Sequence, residues 1–340
     1  MNDKYNDYCE EYDMSDYPYN SMVCSKTPLE LFEELKKYTP KIYETNVRHK
    51  IKSNKPLTYG KEKYIYVKSH KYMKMDVITD WFTQPQRIRS RKIYDSKSPY
   101  KVWRESGKYD EFKSNLKNYT KLELIKETKN TFFGNEKHVS TFRPSWMKGI
   151  LSKLLEQLKT DTDVNNLSIL DPCMGWGDRL ITIISMGWNY DGYDPNIKLE
   201  SAYKKIIETY GDKNKHKYVI NAFEKEEVKK DYYDIVITSP PFYDLEIYDE
   251  DPNTNKNQSI NNHKTYKEWK KNFLEVMLCK LMEGLKSGGI VCIHIYDYDG
   301  KRMVNYIHKY YTKRDDNEYI GVIGIKGGNK LTPCWCWRKK

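Results

Sequence analysis

Two stretches of the chain combine residue types able to hold a ligand and act on it. The first is Asp171-Pro172-Cys173-Met174-Gly175-Trp176-Gly177-Asp178. Its two glycines permit a tight turn and let the backbone come close to a bound group. The second, Ser239-Pro240-Pro241-Phe242, follows an apolar run and stops it. Proline has no amide hydrogen and fixes the backbone, so the pair ends sheet pairing and holds its carbonyls outward as rigid acceptors. Between the two stretches lie Asp194, 17 residues after Gly177, and Asn221-Ala222-Phe223. An acid at a strand end accepts hydrogen bonds from the two hydroxyls of a ribose. The Asn221 amide could read an adenine edge, with Phe223 lining it. Capping is the plainer use of such residues, and Pro-Pro alone is a common strand exit.

These positions need a frame that gathers strand ends. From about residue 129 the periodicity alternates strand and helix. "LSILDPC", "YDGYDP", "KYVINAF", "YDIVITS", "GGIVCIHIYD", "YIGVIGIK" and "CWCWRK" read as strands. "DRLITIISMG", "IKLESAYKKIIETYG", "TYKEWKKNFLEVMLCKLMEGLK" and a segment from Lys301 to about Tyr311 read as helices, with a short charged helix after Phe223. The pattern predicts an α/β, Rossmann-like fold. It is a seven-stranded, mostly parallel sheet with helices on both faces and an antiparallel C-terminal hairpin at its edge. Ligands bind such sheets at the carboxyl ends of the strands, where both motifs fall. Asp178-Arg179-Leu180 replaces the third glycine of a dinucleotide turn. That disfavours NAD or FAD and suits a ligand without a pyrophosphate.

Upstream the composition changes. Residues 1–26 are acidic and tyrosine-rich, the profile of a disordered tail, with a net charge of −5 over the first 25. Residues 27–128 form a basic, aromatic region, and 129–340 the sheet domain. Helices are expected at "TPLELFEELKKY" and "YDEFKSNLKNYTKLELIKE", and a strand at "KYIYVK". Residues 48–104 carry 16 Lys and Arg against four acids, and the whole chain of 340 residues is at +11. Such a block favours a polyanion, with an ordinary solvated surface as the alternative. Seven scattered cysteines argue against a disulfide framework. Cys334 and Cys336 alternate with Trp335 and Trp337 as on one strand face, and no structural metal is expected. Neither a membrane span nor a leader is read from the sequence, so an intracellular protein is expected. The abundance of Lys, Asn, Ile and Tyr is associated with A/T-rich genomes, including viral ones.

With the glycine turn, Asp194 and the strand order in hand, residues of about 140–340 resemble class I S-adenosylmethionine-dependent methyltransferases. The resemblance implies that the turn, with Asp171, Cys173, Gly175 and Gly177, surrounds the methionine and ribose parts of that cofactor. Asp194 would be the ribose acid, and Asn221 and Ala222 would lie at the adenine. "STFRPSWMKGILSKLLEQL" resembles the segment that amino-methyltransferases place over the cofactor, with Pro144 as a helix-start residue. "SPPF" resembles the [DNS]-P-P-[YFW] signature of enzymes that make N6-methyladenine or N4-methylcytosine in DNA. Ser239 and the Pro240 carbonyl would accept the hydrogens of the exocyclic amine, and Phe242 would stack on a base taken out of the duplex. Serine first favours N4-cytosine in the family's pattern.

Only about sixty residues separate the two motifs, so no recognition domain fits between them. Target binding must come from the acidic loop Tyr243–Lys264, a lid or merely a solvated loop, or from the N-terminal region. There Arg87, Arg89, Arg91 and Lys92 stand among Trp81, Phe82 and Tyr94, offering phosphate contacts and stacking surfaces. The expected partner is DNA, with RNA as the second reading. The non-enzyme alternative is a nucleic-acid-binding scaffold that keeps the fold without turnover.

Overall fold

The computed structural model describes residues 24–45, 64–68, 73–92, 97–105, 139–251, 253–327 and 330–340. Residues 1–23 of the acidic tail and the helix expected around residues 109–127 lie outside the described residues. The first elements are α1 (Pro28–Lys37), β1 (Ile42–Thr45), β2 (Tyr64–Lys68), α2 (Asp80–Arg87), β3 (Arg91–Lys92), α3 (Pro99–Glu105) and α4 (Pro144–Leu155). Then come β4 (Ser168–Asp171), α5 (Asp178–Met186), β5 (Asn189–Tyr193), α6 (Glu200–Tyr210), β6 (His216–Val219), β7 (Tyr233–Thr238) and β8 (Glu246–Ile247). Last are α7 (Ser259–Asn262), α8 (Tyr266–Trp269), α9 (Glu275–Gly284), β9 (Leu285–His294), α10 (Met303–Thr312), β10 (Asn317–Gly327) and β11 (Lys330–Lys339). The helix expected over Thr265–Lys286 is a continuous run from Tyr266 to Gly284, with a π segment at Lys270–Leu274 between α8 and α9.

Local chemistry accounts for the helix starts. Thr27 and Glu30 form a capping box at α1, which buries Leu31, Phe32 and Leu35 on one face. Helix α4 opens at Pro144 as expected, but its cap comes from far away. The Asp76 carboxylate accepts from the Ser145 N–H at 2.8 Å and from the Ser145 hydroxyl at 2.7 Å. An acid at a helix N-terminus satisfies otherwise orphaned donors and opposes the helix dipole.

The sheet runs β1-β2-β10-β11-β9-β7-β4-β5-β6. Strands β4, β5, β6, β7 and β9 are parallel to their neighbours in that block, and β11 is antiparallel to both β9 and β10. All seven expected strands are present in an α/β, Rossmann-like sheet. The direction of winding reverses between β4 and β7, the switch point where a ligand crevice opens in such sheets.

One expectation needs correction. The hairpin of β10 and β11 is not the sheet edge, because β2 pairs in parallel with β10, Tyr66 opposite Gly324, and β1 pairs antiparallel with β2. The alternation that marked "KYIYVK" as a strand is the reason: Ile65 and Val67 turn inward and are buried. Residues from the basic region therefore extend the same sheet.

Two apolar layers cover the sheet. On one side α1, α4, α5 and α6 pack with Cys292, Cys334 and Cys336. On the other, α9 and α10 pack with Trp335 and Trp337. The alternation in "CWCWRK" thus serves two buried faces, as expected for a strand inside a doubly covered sheet. Among the described residues no helix is long and apolar enough to cross a membrane.

Candidate active site

Strand β4 ends at Asp171 and delivers the glycine turn to the switch point. Gly175 and Gly177 both have positive φ, +58° and +80°, the left-handed region that favours glycine. Apart from its chain neighbours, the nearest described atom to where a Gly175 side chain would begin is the Cys173 carbonyl oxygen at 4.0 Å, so this backbone is little crowded. Asp194, at the end of β5, accepts from the Gly175 N–H at 2.8 Å with one oxygen and from the Asn196 N–H at 3.0 Å with the other. Burial pushes its pKa up to about 6, and these two N–H groups oppose the rise. The acid at the end of β5 is thus tied to the glycine turn at the end of β4.

Asp171 and Cys173 have other work. Asp171 is fully buried. It accepts from Arg179 Nε at 2.7 Å and from the Tyr190 hydroxyl at 2.9 Å, while Arg179 also donates to the Cys173 carbonyl. The acid holds the turn in shape from beneath. The Cys173 thiol is pushed well up by burial, reinforced by Asp171 and Asp194, and stays protonated. Tyr203 donates to the Gly175 carbonyl from α6. Helix α2 braces the turn from outside, with Thr79 donating to Asp178 at 2.7 Å and Thr83 to the Trp176 carbonyl at 3.1 Å.

Asn221 and Ala222 cap their own turn. The Asn221 amide donates to Glu226, and its oxygen accepts from the Ala222 N–H at 2.9 Å. Next to them, the buried Glu224 Oε2 finds no hydrogen-bond partner among the described residues. An acceptor left in this state is costly unless a donor arrives.

Strand β7 ends at Thr238 and releases the Ser239–Phe242 segment. The Ser239 hydroxyl lies 3.2 Å from His294 Nδ1 on neighbouring β9. Phe242 is buried, 4.6 Å from the Tyr296 ring and 6.0 Å from the His294 ring, centre to centre. Its carbonyl accepts from the Tyr298 hydroxyl at 2.6 Å, and the same hydroxyl reaches Asp244. Tyr243, next in the chain, has φ +55°, an uncommon conformation for a bulky residue. Phe142, just before Pro144, links the two motifs: its ring is 5.2 Å from the Arg179 guanidinium and 5.6 Å from the His294 ring. Tyr248 then folds back to put its ring 6.1 Å from Trp176 of the glycine turn. Glycine turn, Asp194 and "SPPF" segment are thus contiguous.

The arginine run is not the free surface its sequence suggests. Arg87 is buried and paired with Asp80. Asp80 lies seven residues back on the same helix, a spacing that shares one face. Arg89 packs over the Tyr100 ring at 4.2 Å. Arg91 and Lys92 form β3 and pair with Ile247 and Glu246 of the acidic loop. Arg91 Nε is 2.6 Å and Lys101 Nζ 3.0 Å from the Glu250 carboxylate, and Lys198 holds Asp249 at 2.9 Å and Asp251 at 3.2 Å. Arg91 of the run and lysines from elsewhere in the chain thus pair with acids of the loop. Among the described residues no His, Cys, Asp and Glu cluster is arranged to hold a metal ion.

The sequence reading missed Arg179, Tyr190, Tyr203, His294, Tyr296 and Tyr298. Arg179 was quoted only as a missing glycine. His294 had a signal: it stands in the strand after "SPPF", two residues from Tyr296, at a carboxyl end.

No family model matches the chain, and no curated protein matches it in sequence. Solved structures do resemble it. The magnesium protoporphyrin IX methyltransferase of Synechocystis, solved with bound SAM, aligns at 14% identity and TM-score 0.40, over 58% of this chain and 79% of that one. TrmN from Thermus thermophilus aligns at 12% and 0.41, over 62% and 52%. An rRNA methylase from Streptococcus thermophilus aligns at 14% and 0.35, over 59% and 99%. At these values the likeness carries no information on substrate.

Proposed function

We propose that this protein is an S-adenosylmethionine-dependent methyltransferase acting on an exocyclic amine of a nucleic-acid base, DNA ahead of RNA. The observation that carries this reading is the meeting of Ser239-Pro240-Pro241-Phe242 at the end of β7 with the Gly175 turn and Asp194 at the ends of β4 and β5. The residues fit the cofactor. The Gly175 backbone leaves room, Asp194 suits a ribose, and Glu224 Oε2 offers an unused acceptor to an amine.

Bound there, S-adenosylmethionine supplies a methyl group on a positively charged sulfur. The target amine is a weak nucleophile because its lone pair is shared with the ring. Acceptors at Ser239 Oγ and the Pro240 carbonyl draw its hydrogens and return electron density to nitrogen as positive charge grows. Phe242 fixes the plane of the base and thereby the direction of attack. The nitrogen lone pair, aimed by these residues, would accept the methyl group, and the electrons of the bond it leaves would stay with the cofactor's sulfur. The nitrogen then gives one proton to water. A nucleic-acid substrate also implies an intracellular protein.

The test is methyl transfer from labelled cofactor to unmodified DNA and RNA, read by nucleoside mass spectrometry, with Ser239→Ala and Phe242→Ala as controls. A methylated amine on cytosine or adenine, reduced roughly 100-fold or more in both variants, is expected. Cofactor binding without transfer to either polymer would favour the scaffold reading instead.

A further inference from the structure

We propose that His294 is a positioning residue that keeps the Ser239 hydroxyl proton turned away from the substrate, so that Ser239 Oγ meets the target amine only as an acceptor. The inference rests on the methyltransferase reading of the "SPPF" segment.

Strands β7 and β9 run in parallel with Thr238 opposite Ile293, which sets Ser239 beside His294. The imidazole spans two hydroxyls. Nδ1 is 3.2 Å from Ser239 Oγ, and Nε2 is 3.1 Å from Thr332 Oγ1 on β11. Thr332 Oγ1 in turn reaches the Ile325 carbonyl at 3.5 Å, where only the hydroxyl can donate. That donation leaves Thr332 Oγ1 as an acceptor toward His294 and puts the ring proton on Nε2. A neutral imidazole has one donor and one acceptor, so Nδ1 is then a bare lone pair. The only hydrogen available between Nδ1 and Ser239 is the serine's own.

The ring is held neutral. Burial, helped by the nearby Arg179 charge, pushes its pKa down to about 3, and the Phe142 ring packs edge-on against it. His294 therefore does not serve as the base for the product's proton. It acts before the chemistry, by removing serine rotamers whose hydrogen would oppose the hydrogens of the amine. A serine free to rotate would have to be ordered during the reaction, whereas a preorganised acceptor is not reorganised at that moment.

Two measurements test this on the whole 340-residue chain. Long-range 15N–1H NMR of histidine-labelled protein, with His294 assigned by its loss in His294→Asn, should show the Nε2–H form and no titration between about pH 5 and 8. Its Nδ1 resonance should move in Ser239→Ala. An Nδ1–H form, or a ring titrating near its ordinary pKa, overturns the proposal. In turnover, His294→Ala should lower kcat roughly 10- to 100-fold, with cofactor affinity unchanged within about twofold. Adding His294→Ala to Ser239→Ala should cost nothing further, because the ring acts only through the serine. His294→Asn, whose amide oxygen takes the place of Nδ1, should recover part of the rate. Additive losses overturn the proposal. If wild-type protein transfers no methyl group to any polymer, the functional reading fails, and the NMR still decides where the proton sits.

Discussion

Two backbone N–H groups point at the Asp194 carboxylate, one at each oxygen, while burial pushes its pKa up to about 6. On the proposed reading ribose hydroxyls would donate to the ionised form, so affinity for S-adenosylhomocysteine should rise with pH through about 6 and level off above it. Titration calorimetry checks this; below the midpoint the affinity should fall toward about tenfold per pH unit. In Asp194→Asn one oxygen becomes an NH2 that faces a backbone N–H. Binding should weaken roughly 10- to 100-fold and lose its pH dependence. The place of Asp194 was legible in the sequence, an acid at a strand end after a glycine turn; its bonds to the Gly175 and Asn196 N–H groups were not. Asp171 and Asn221 were legible as strand-end polar residues but not in their use. Arg179 and Tyr190 consume the first, and Glu226 and the Ala222 N–H consume the second.

Among the elements, α5 shows what α2 contributes. Asp178 opens α5 in a fully buried position, and burial pushes its pKa up to about 7 against the pull of the Thr79 hydroxyl. The proton is held more tightly in the folded chain than in the unfolded one, whose value stays near 3.8. The stability from this group is therefore complete below about pH 4 and lost as pH rises through 7. Asp178→Asn keeps an acceptor for Thr79 and removes the charge. Denaturant unfolding should find the variant more stable than wild type at pH 8, by on the order of 1–3 kcal/mol, with the advantage shrinking toward pH 5. Helices α1, α5 and α6 were legible from period, caps and glycines. Helix α2 was not, since Pro85 interrupts its pattern and its buried face carries Asp80, Thr83 and Arg87. The long-range contacts that make it useful, Thr79 to Asp178 and Thr83 to Trp176, leave no local trace.

Across the whole molecule, the sequence displays a basic block and an acidic loop as separate features, and the fold sets them against each other. Glu250 occupies Arg91 and Lys101, so a phosphate must displace it to gain those cations. Glu250→Gln should tighten binding to DNA or RNA about three- to tenfold at low salt and steepen the salt dependence by roughly one phosphate contact. Fluorescence anisotropy across a salt series checks both; unchanged binding would show that these cations do not touch the polymer. Net charge was legible, but its placement was not, because pairing across some 150 residues depends on the sheet that brings the strand ends together. The same sheet sets the order in which the molecule can be made. Tyr66 leaves the ribosome long before Gly324 exists, and β10, once made, still waits for β11 to enter between it and β9. Strand β2 can pair with β1 at once, but its other edge has no partner until β10 is made. Completion of the sheet becomes a late event that joins its earliest and its latest strands, a pairing distant in sequence and therefore slow to form.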